Sequence, residues 1–174
     1  MRGQMTQSRI GTAAALAGVA LLTGANAAAA DSAHARLTSF EEVPAVSSLA
    51  GGTVEVTLKN QSIVYRLRYD NLGSQVTQAH IHLAQRSVNG GVMVFLCSNL
   101  GNGPAGTPAC PGTTNGTVTG TIAAAGVVGP GNQGIAAGEF AAVLRAIRAG
   151  VAYANVHTTV FPGGEIRGQL QFTP

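Results

Sequence analysis

From about residue 35 onward, short runs of alternating apolar and polar residues dominate the chain. Residues 53–58 place Val54, Val56 and Leu58 on one face, and residues 63–69 set Ile63, Tyr65, Leu67 and Tyr69 against Val64, Arg66 and Arg68. A period of two marks strands with one buried face, so these runs read as a β-hairpin turning at Lys59-Asn60-Gln61. Asp70-Asn71-Leu72-Gly73-Ser74 ends the second strand with turn-forming residues. A third strand is expected over residues 77–84, with Ala79, Ile81 and Leu83 on one face and Gln78, His80 and His82 on the other. Residues 92–96 form a short, continuously apolar strand. Residues 98–134 are rich in Gly, Thr and Pro, and only 116–122 look strand-like. The remainder is longer than an ordinary connection, which suggests a functional or stapled loop.

The period changes once. Over residues 139–148, Phe140, Val143, Leu144 and Ile147 fall on one helical stripe. Glu139 stands early, Arg145 and Arg148 late, and Gly150 supplies a stop. Strands resume over 151–157 and 165–172, joined by a turn at 160–164. In the last of these, Ile166, Gly168, Leu170 and Phe172 are expected to face inward, and Glu165, Arg167, Gln169 and Gln171 outward. With residues 35–40 the total is about eight strands and one short helix. That pattern predicts an all-β domain, a Greek-key-like β-sandwich or flattened barrel.

Residues 1–30 have a different character. Arg2 and Arg9 precede an apolar run over 10–25, which ends in Ala25-Asn26-Ala27-Ala28-Ala29-Ala30 before Asp31. A charged start, an apolar stretch and small residues at the exit describe a secretory signal peptide cleaved after about Ala30. The run is too short and too interrupted for a spanning helix, which needs about 20 apolar residues. The expected organisation is a signal peptide over 1–30 and one β domain over 31–174, secreted or periplasmic.

Cleavage changes the charge picture. The ten basic residues fall by Arg2 and Arg9 and nearly balance the seven acidic ones. No Lys/Arg cluster remains, so nucleic-acid binding has no electrostatic footprint. No apolar run in the mature part is long enough to span a bilayer. Cys97 and Cys110 both survive cleavage, and in an oxidising compartment such a pair is expected to form a disulfide. Closing a loop of this size is worth about 3 kcal/mol in the chain-entropy account.

Candidate chemistry rests on histidine. His80 and His82, at i and i+2, project from one strand face about 7 Å apart. His157 ends another strand, sharing a face with Tyr153 and Asn155 opposite Ala154 and Val156. Three neutral imidazoles with an open position suit copper or zinc. From spacing alone, ordinary polar positions on exposed strand faces remain the simpler reading. Glu165 lies across the turn from His157, where it could orient that imidazole; pairing near Arg167 or with solvent is its alternative role. His34 stands outside any pattern. No Ser sits in a nucleophile-elbow setting, and the Gly-rich stretches lack the context of a phosphate loop. No catalytic residue is assigned. Asn60-Gln61-Ser62 and Asn115-Gly116-Thr117 match the glycosylation sequon, which matters only in a glycosylating host.

Five blocks carry a resemblance to a known family: Phe40-Glu41-Glu42-Val43-Pro44; Tyr69-Asp70-Asn71-Leu72; Ala79-His80-Ile81-His82; residues 149–158; and residues 161–170. In order and spacing they resemble the CHRD domain family, named for its occurrence in chordin and widespread in bacterial exported proteins. The likeness covers roughly residues 36–172; one departure is Ala45, where the family often has a second proline. The resemblance implies a β-sandwich similar in shape to copper–zinc superoxide dismutase. It thereby implies His80, His82 and His157 as counterparts of a copper-type His-x-His plus His site. The chain lacks the further His and Asp cluster of a bimetallic dismutase site, so dismutase activity is not expected.

The resulting expectation is an exported CHRD-domain protein that binds a single transition-metal ion through His80, His82 and His157, copper favoured over zinc, without established catalysis. Two alternatives remain. One is an extracytoplasmic structural or protein-interaction module whose histidines only hydrogen-bond; the other is a metal-dependent redox enzyme. Convergence of the three imidazoles separates the first reading from the module.

Overall fold

A computed structural model describes residues 30–174 together with Met1 and Gly3. The expected signal peptide and its cleavage therefore lie almost wholly outside the described residues. These residues form nine strands and one α-helix: β1 (Ser32–Thr38), β2 (Gly51–Leu58), β3 (Ile63–Asp70), β4 (Val76–Leu83), β5 (Val92–Ser98), β6 (Gly116–Ile122), α1 (Phe140–Arg148), β7 (Ala152–Thr158), β8 (Ile166–Gln169) and β9 (Gln171–Thr173).

Alternation builds the core as expected. Val54, Val56 and Leu58 of β2 and Ile63, Tyr65, Leu67 and Tyr69 of β3 are buried. The β2–β3 hairpin pairs Val56 with Tyr65 and Leu58 with Ile63. All strand pairs are antiparallel, in the order β5-β4-β7-β8-β1-β2-β3-β6, with β9 also on β1. The two outer strands, β5 and β6, approach each other, and the Tyr65 hydroxyl of β3, the strand beside β6, donates across the gap to the Leu96 carbonyl of β5. The sheet is thus a nearly closed barrel, the second of the two architectures the pattern allowed.

The first and last strands depart from expectation in their bounds. β1 starts at Ser32 and stops at Thr38, and a 3-10 turn follows over Ser39–Glu41. That turn exists because Ser39 closes a loop: its hydroxyl donates to Ser48 O at 3.0 Å and its carbonyl accepts the Val46 N–H at 3.0 Å. The last strand is interrupted at Leu170, whose N–H turns to Ala152 O at 2.9 Å. Its register against β1 is the same on both sides of the break, Thr38 with Arg167 and His34 with Gln171. The β5–β6 loop is stapled, with Cys97 and Cys110 disulfide-bonded at an S–S distance of 2.05 Å.

Helix α1 buries Phe140, Val143, Leu144 and Ile147, the expected stripe. It ends where Gly150 takes φ +70°, and the Gly150 and Val151 N–H groups bond back to Ile147 O and Ala146 O. Those bonds satisfy carbonyls that a helix end leaves orphaned.

What positions the site is a second buried face. One side of β4 and β7 packs into the barrel through Ala79, Ile81, Ala154 and Val156. The other side is roofed by two loops, residues 39–50 and 84–91. Asn89 Nδ2 ties one to the other by donating to Val43 O at 2.9 Å. All seven residues of β7 are consequently buried. The outward exposure expected for Glu165 and Arg167 is overturned, since both are buried. Gln169 is half-buried and Gln171 exposed.

Candidate metal centre

β4 and β7 lie side by side, with Gln78 opposite His157, His80 opposite Asn155 and His82 opposite Tyr153. The two-residue period therefore sends His80, His82, Tyr153, Asn155 and His157 to the same face. The imidazole centroids of His80 and His157 are 5.0 Å apart, those of His80 and His82 5.4 Å, and those of His82 and His157 6.0 Å. Each ring offers one nitrogen to a group whose atoms all lie within 4.8 Å of one another. The reading of the histidines as exposed polar positions fails: His80, His82 and His157 are 3%, 7% and 6% exposed.

Hydrogen bonds assign the nitrogens. Nδ1 of His82 is 3.0 Å from Gly90 O, and Nδ1 of His157 is 3.0 Å from Pro162 O. A carbonyl only accepts, so both Nδ1 atoms carry the proton and both Nε2 atoms present lone pairs. The third ring completes the set, with His80 Nδ1 3.1 Å from His157 Nε2. Among the described residues, His80 Nε2 and His82 Nε2 are buried without a hydrogen-bond partner. A buried acceptor without a partner is costly, and a cation bound at His82 Nε2 is one way to satisfy that atom.

Burial keeps these rings neutral. Desolvation, reinforced by His157 and His82, pushes His80 down to about 2. Desolvation pushes His82 down to about 4 against the opposing bond to Gly90. His157 is also lowered by burial, against its bond to Pro162. Neutral imidazole is the form that coordinates metal, so the lone pairs are available well below the usual histidine range.

The surrounding side chains fix ring orientation. Phe95 of β5 meets His80 edge-on at 4.4 Å, and Tyr153 stacks on His82 at 4.7 Å and 9°. The Arg167 guanidinium lies over the other part of this stack, 3.5 Å from the Tyr153 centroid. It also donates to Asn89 Oδ1 at 3.0 Å and Val88 O at 2.7 Å. Asn155 donates to Glu42 Oε1 and, at 2.9 Å, to Ile166 O. Burial raises the Glu42 carboxyl to about 7 although Asn155 and Arg167 pull it down.

Sequence reasoning placed the three imidazoles together but missed the atoms that hold them. Gly90 carries no periodic signal. Yet a Cβ there would stand 1.8 Å from Leu83 O, so only glycine brings this carbonyl to His82. Pro162 was visible only as a turn residue. Glu165 does not take the expected part: its oxygens accept the Gly73 N–H at 2.7 Å and the Thr158 hydroxyl at 2.9 Å. The turn between β7 and β8 directs the Pro162 carbonyl to His157 in its place.

No match to the chain was found among curated proteins or among solved structures. The features above, an antiparallel barrel with a His-x-His strand beside a third histidine, coincide with the blocks that carried the family likeness. The CHRD domain family model matches residues 33–170, most of the chain, and the protein therefore belongs to the CHRD domain family.

Proposed function

We propose that the chain is exported and that its CHRD domain holds a single transition-metal ion, copper in preference to zinc, on His80, His82 and His157. The ligand atoms are His80 Nδ1, His82 Nε2 and His157 Nε2. One observation carries the reading: His82 Nε2 is buried without a partner, while the other nitrogen of the same ring is tied to Gly90 O. A ring recruited only for packing gains nothing from burying an unsatisfied lone pair. The donor set fits the ion. Imidazole suits copper and zinc alike, and divalent copper binds nitrogen sites more tightly than zinc does. Gly90 and Pro162 are the outer partners that set the tautomers, a role that typically governs metal affinity. When bound, copper would supply Lewis-acid or one-electron chemistry, but the protein is proposed as a binding module without turnover. Export rests on the charged start and apolar run of residues 1–30 and agrees with the Cys97–Cys110 disulfide. Among the described residues, no helix is long and apolar enough to cross a membrane.

Metal analysis of the protein purified from its export compartment tests the binding, and mass spectrometry of the same sample tests the processing. Near one equivalent of copper, lost on joint substitution of the three histidines, is expected. So is a mature start close to Asp31. A metal-free protein that also fails to take up copper or zinc in titration would instead make the domain a structural or protein-interaction module.

A further inference from the structure

We infer that this centre selects monovalent copper, Cu(I), over both Cu(II) and Zn(II). The inference rests on the proposed metal site and concerns the charge state it accepts. Among the described residues the group consists of His80, His82 and His157, three uncharged nitrogen donors without a carboxylate or thiolate. The two cysteines are spent in the disulfide. The nearby carboxylates are already committed: Glu165 accepts from Gly73 and Thr158, and Glu42 accepts from Asn155. A cation, by contrast, is built in. Arg167 is 2% exposed and stacks on Tyr153, which stacks on His82.

Every unit of positive charge placed on three buried neutral rings is uncompensated, and burying an uncompensated charge is expensive. A divalent ion brings twice the charge of Cu(I) into the same surroundings, with a guanidinium two rings away. Divalent ions also ask for a fourth ligand, as zinc does in its tetrahedral sites. The described residues contribute three, and these histidines are 3–7% exposed. A monovalent, soft ion on three imidazoles meets neither difficulty.

The test uses the full chain under anaerobic conditions. Cu(I) affinity is measured by competition with a chromogenic Cu(I) chelator, and Cu(II) and Zn(II) affinities by competition with chelators for each. The expected result is Cu(I) binding at least about 100-fold tighter than either divalent ion. Phe95→Asp, which sets a carboxylate beside His80, is expected to narrow that ratio by at least about tenfold, chiefly through tighter divalent binding. Cu(II) or Zn(II) binding as tightly as Cu(I) to the unsubstituted protein overturns the inference and leaves the metal site standing. Failure of all three ions to bind overturns the metal site itself.

Discussion

His80 Nδ1 and His157 Nε2, contributed by adjacent antiparallel strands, lie 3.1 Å apart. Two nitrogens each about 2.0 Å from one ion cannot be more than about 4 Å apart, and this pair meets that condition. The ligand atoms of the whole group lie within 4.8 Å of one another, so a closure of under about 1 Å completes a shared site. In the absence of an ion, the same contact serves as a hydrogen bond from His80 Nδ1–H to the His157 Nε2 lone pair. Coordination through His80 Nδ1 requires its proton to move to His80 Nε2, and with that change of tautomer the pair serves both states without movement of the strands.

The first prediction concerns Gly90. A methyl group at this position meets Leu83 O at 1.8 Å, so Gly90→Ala must displace the loop and the carbonyl that holds His82. The expected cost is about 1–3 kcal/mol of stability. Loss of the outer partner should also lower metal affinity about 10- to 100-fold. Thermal unfolding and a copper titration of the variant check the two effects; wild-type affinity in a folded Gly90→Ala protein would separate Gly90 from the site.

The second prediction is a pH profile. His80 and His82 are pushed down to about 2 and about 4, and His157 is lowered as well, all chiefly by burial. Protons therefore compete weakly for the ligand atoms, and copper affinity should change less than about threefold between pH 7 and pH 5. Ordinary imidazoles, with values of about 6.5, would lose far more over that range. The same shifts act on the metal-free fold. Each ring is neutral when folded and protonates below about 6.5 when unfolded. Its contribution is complete above about 6.5 and is lost as pH falls toward the folded values. Metal titrations and denaturant unfolding across pH 4.5–7.5 measure both.

Glu42 gives the opposite sign. Its carboxyl is raised to about 7 by burial, so the folded state binds a proton that the unfolded state releases above the ordinary carboxyl value of 4.5. Its contribution is fully present below that value and is lost as pH rises through about 7. Glu42→Gln keeps an oxygen acceptor for Asn155 and removes the titration. The variant should therefore gain stability relative to wild type as pH rises from 4.5 to 8, by on the order of 3 kcal/mol. A difference between the two proteins that stays constant with pH would place the Glu42 titration elsewhere.

The strands and the pairing of His80 with His82 were legible because alternation is a local signal. Val54, Val56, Tyr65 and Leu67 have to share a core face whatever the rest of the chain does, and they do. The burial of the opposite face was not legible. It depends on two loops meeting across it, through Asn89 with Val43, and on one of them bonding to β7, through Glu42 with Asn155, and no period in the sequence encodes contacts of that span. Arg167 shows the consequence: its place in the alternation reads as outward, yet it is buried against Tyr153. Convergence of His157 with the other two depended on which strands became neighbours, and that was implied by the family resemblance rather than by spacing. The partners of the imidazoles, Gly90 O and Pro162 O, are backbone atoms, which carry no residue-type signature at all.

The central claim is that one ion is shared by three histidines, and an anomalous diffraction map from crystals grown with copper tests it most directly. The account predicts a single copper peak about 2.0 Å from His80 Nδ1, His82 Nε2 and His157 Nε2. A map with no peak among these three rings, or with copper held only elsewhere, as at the exposed His34 on β1, would contradict it.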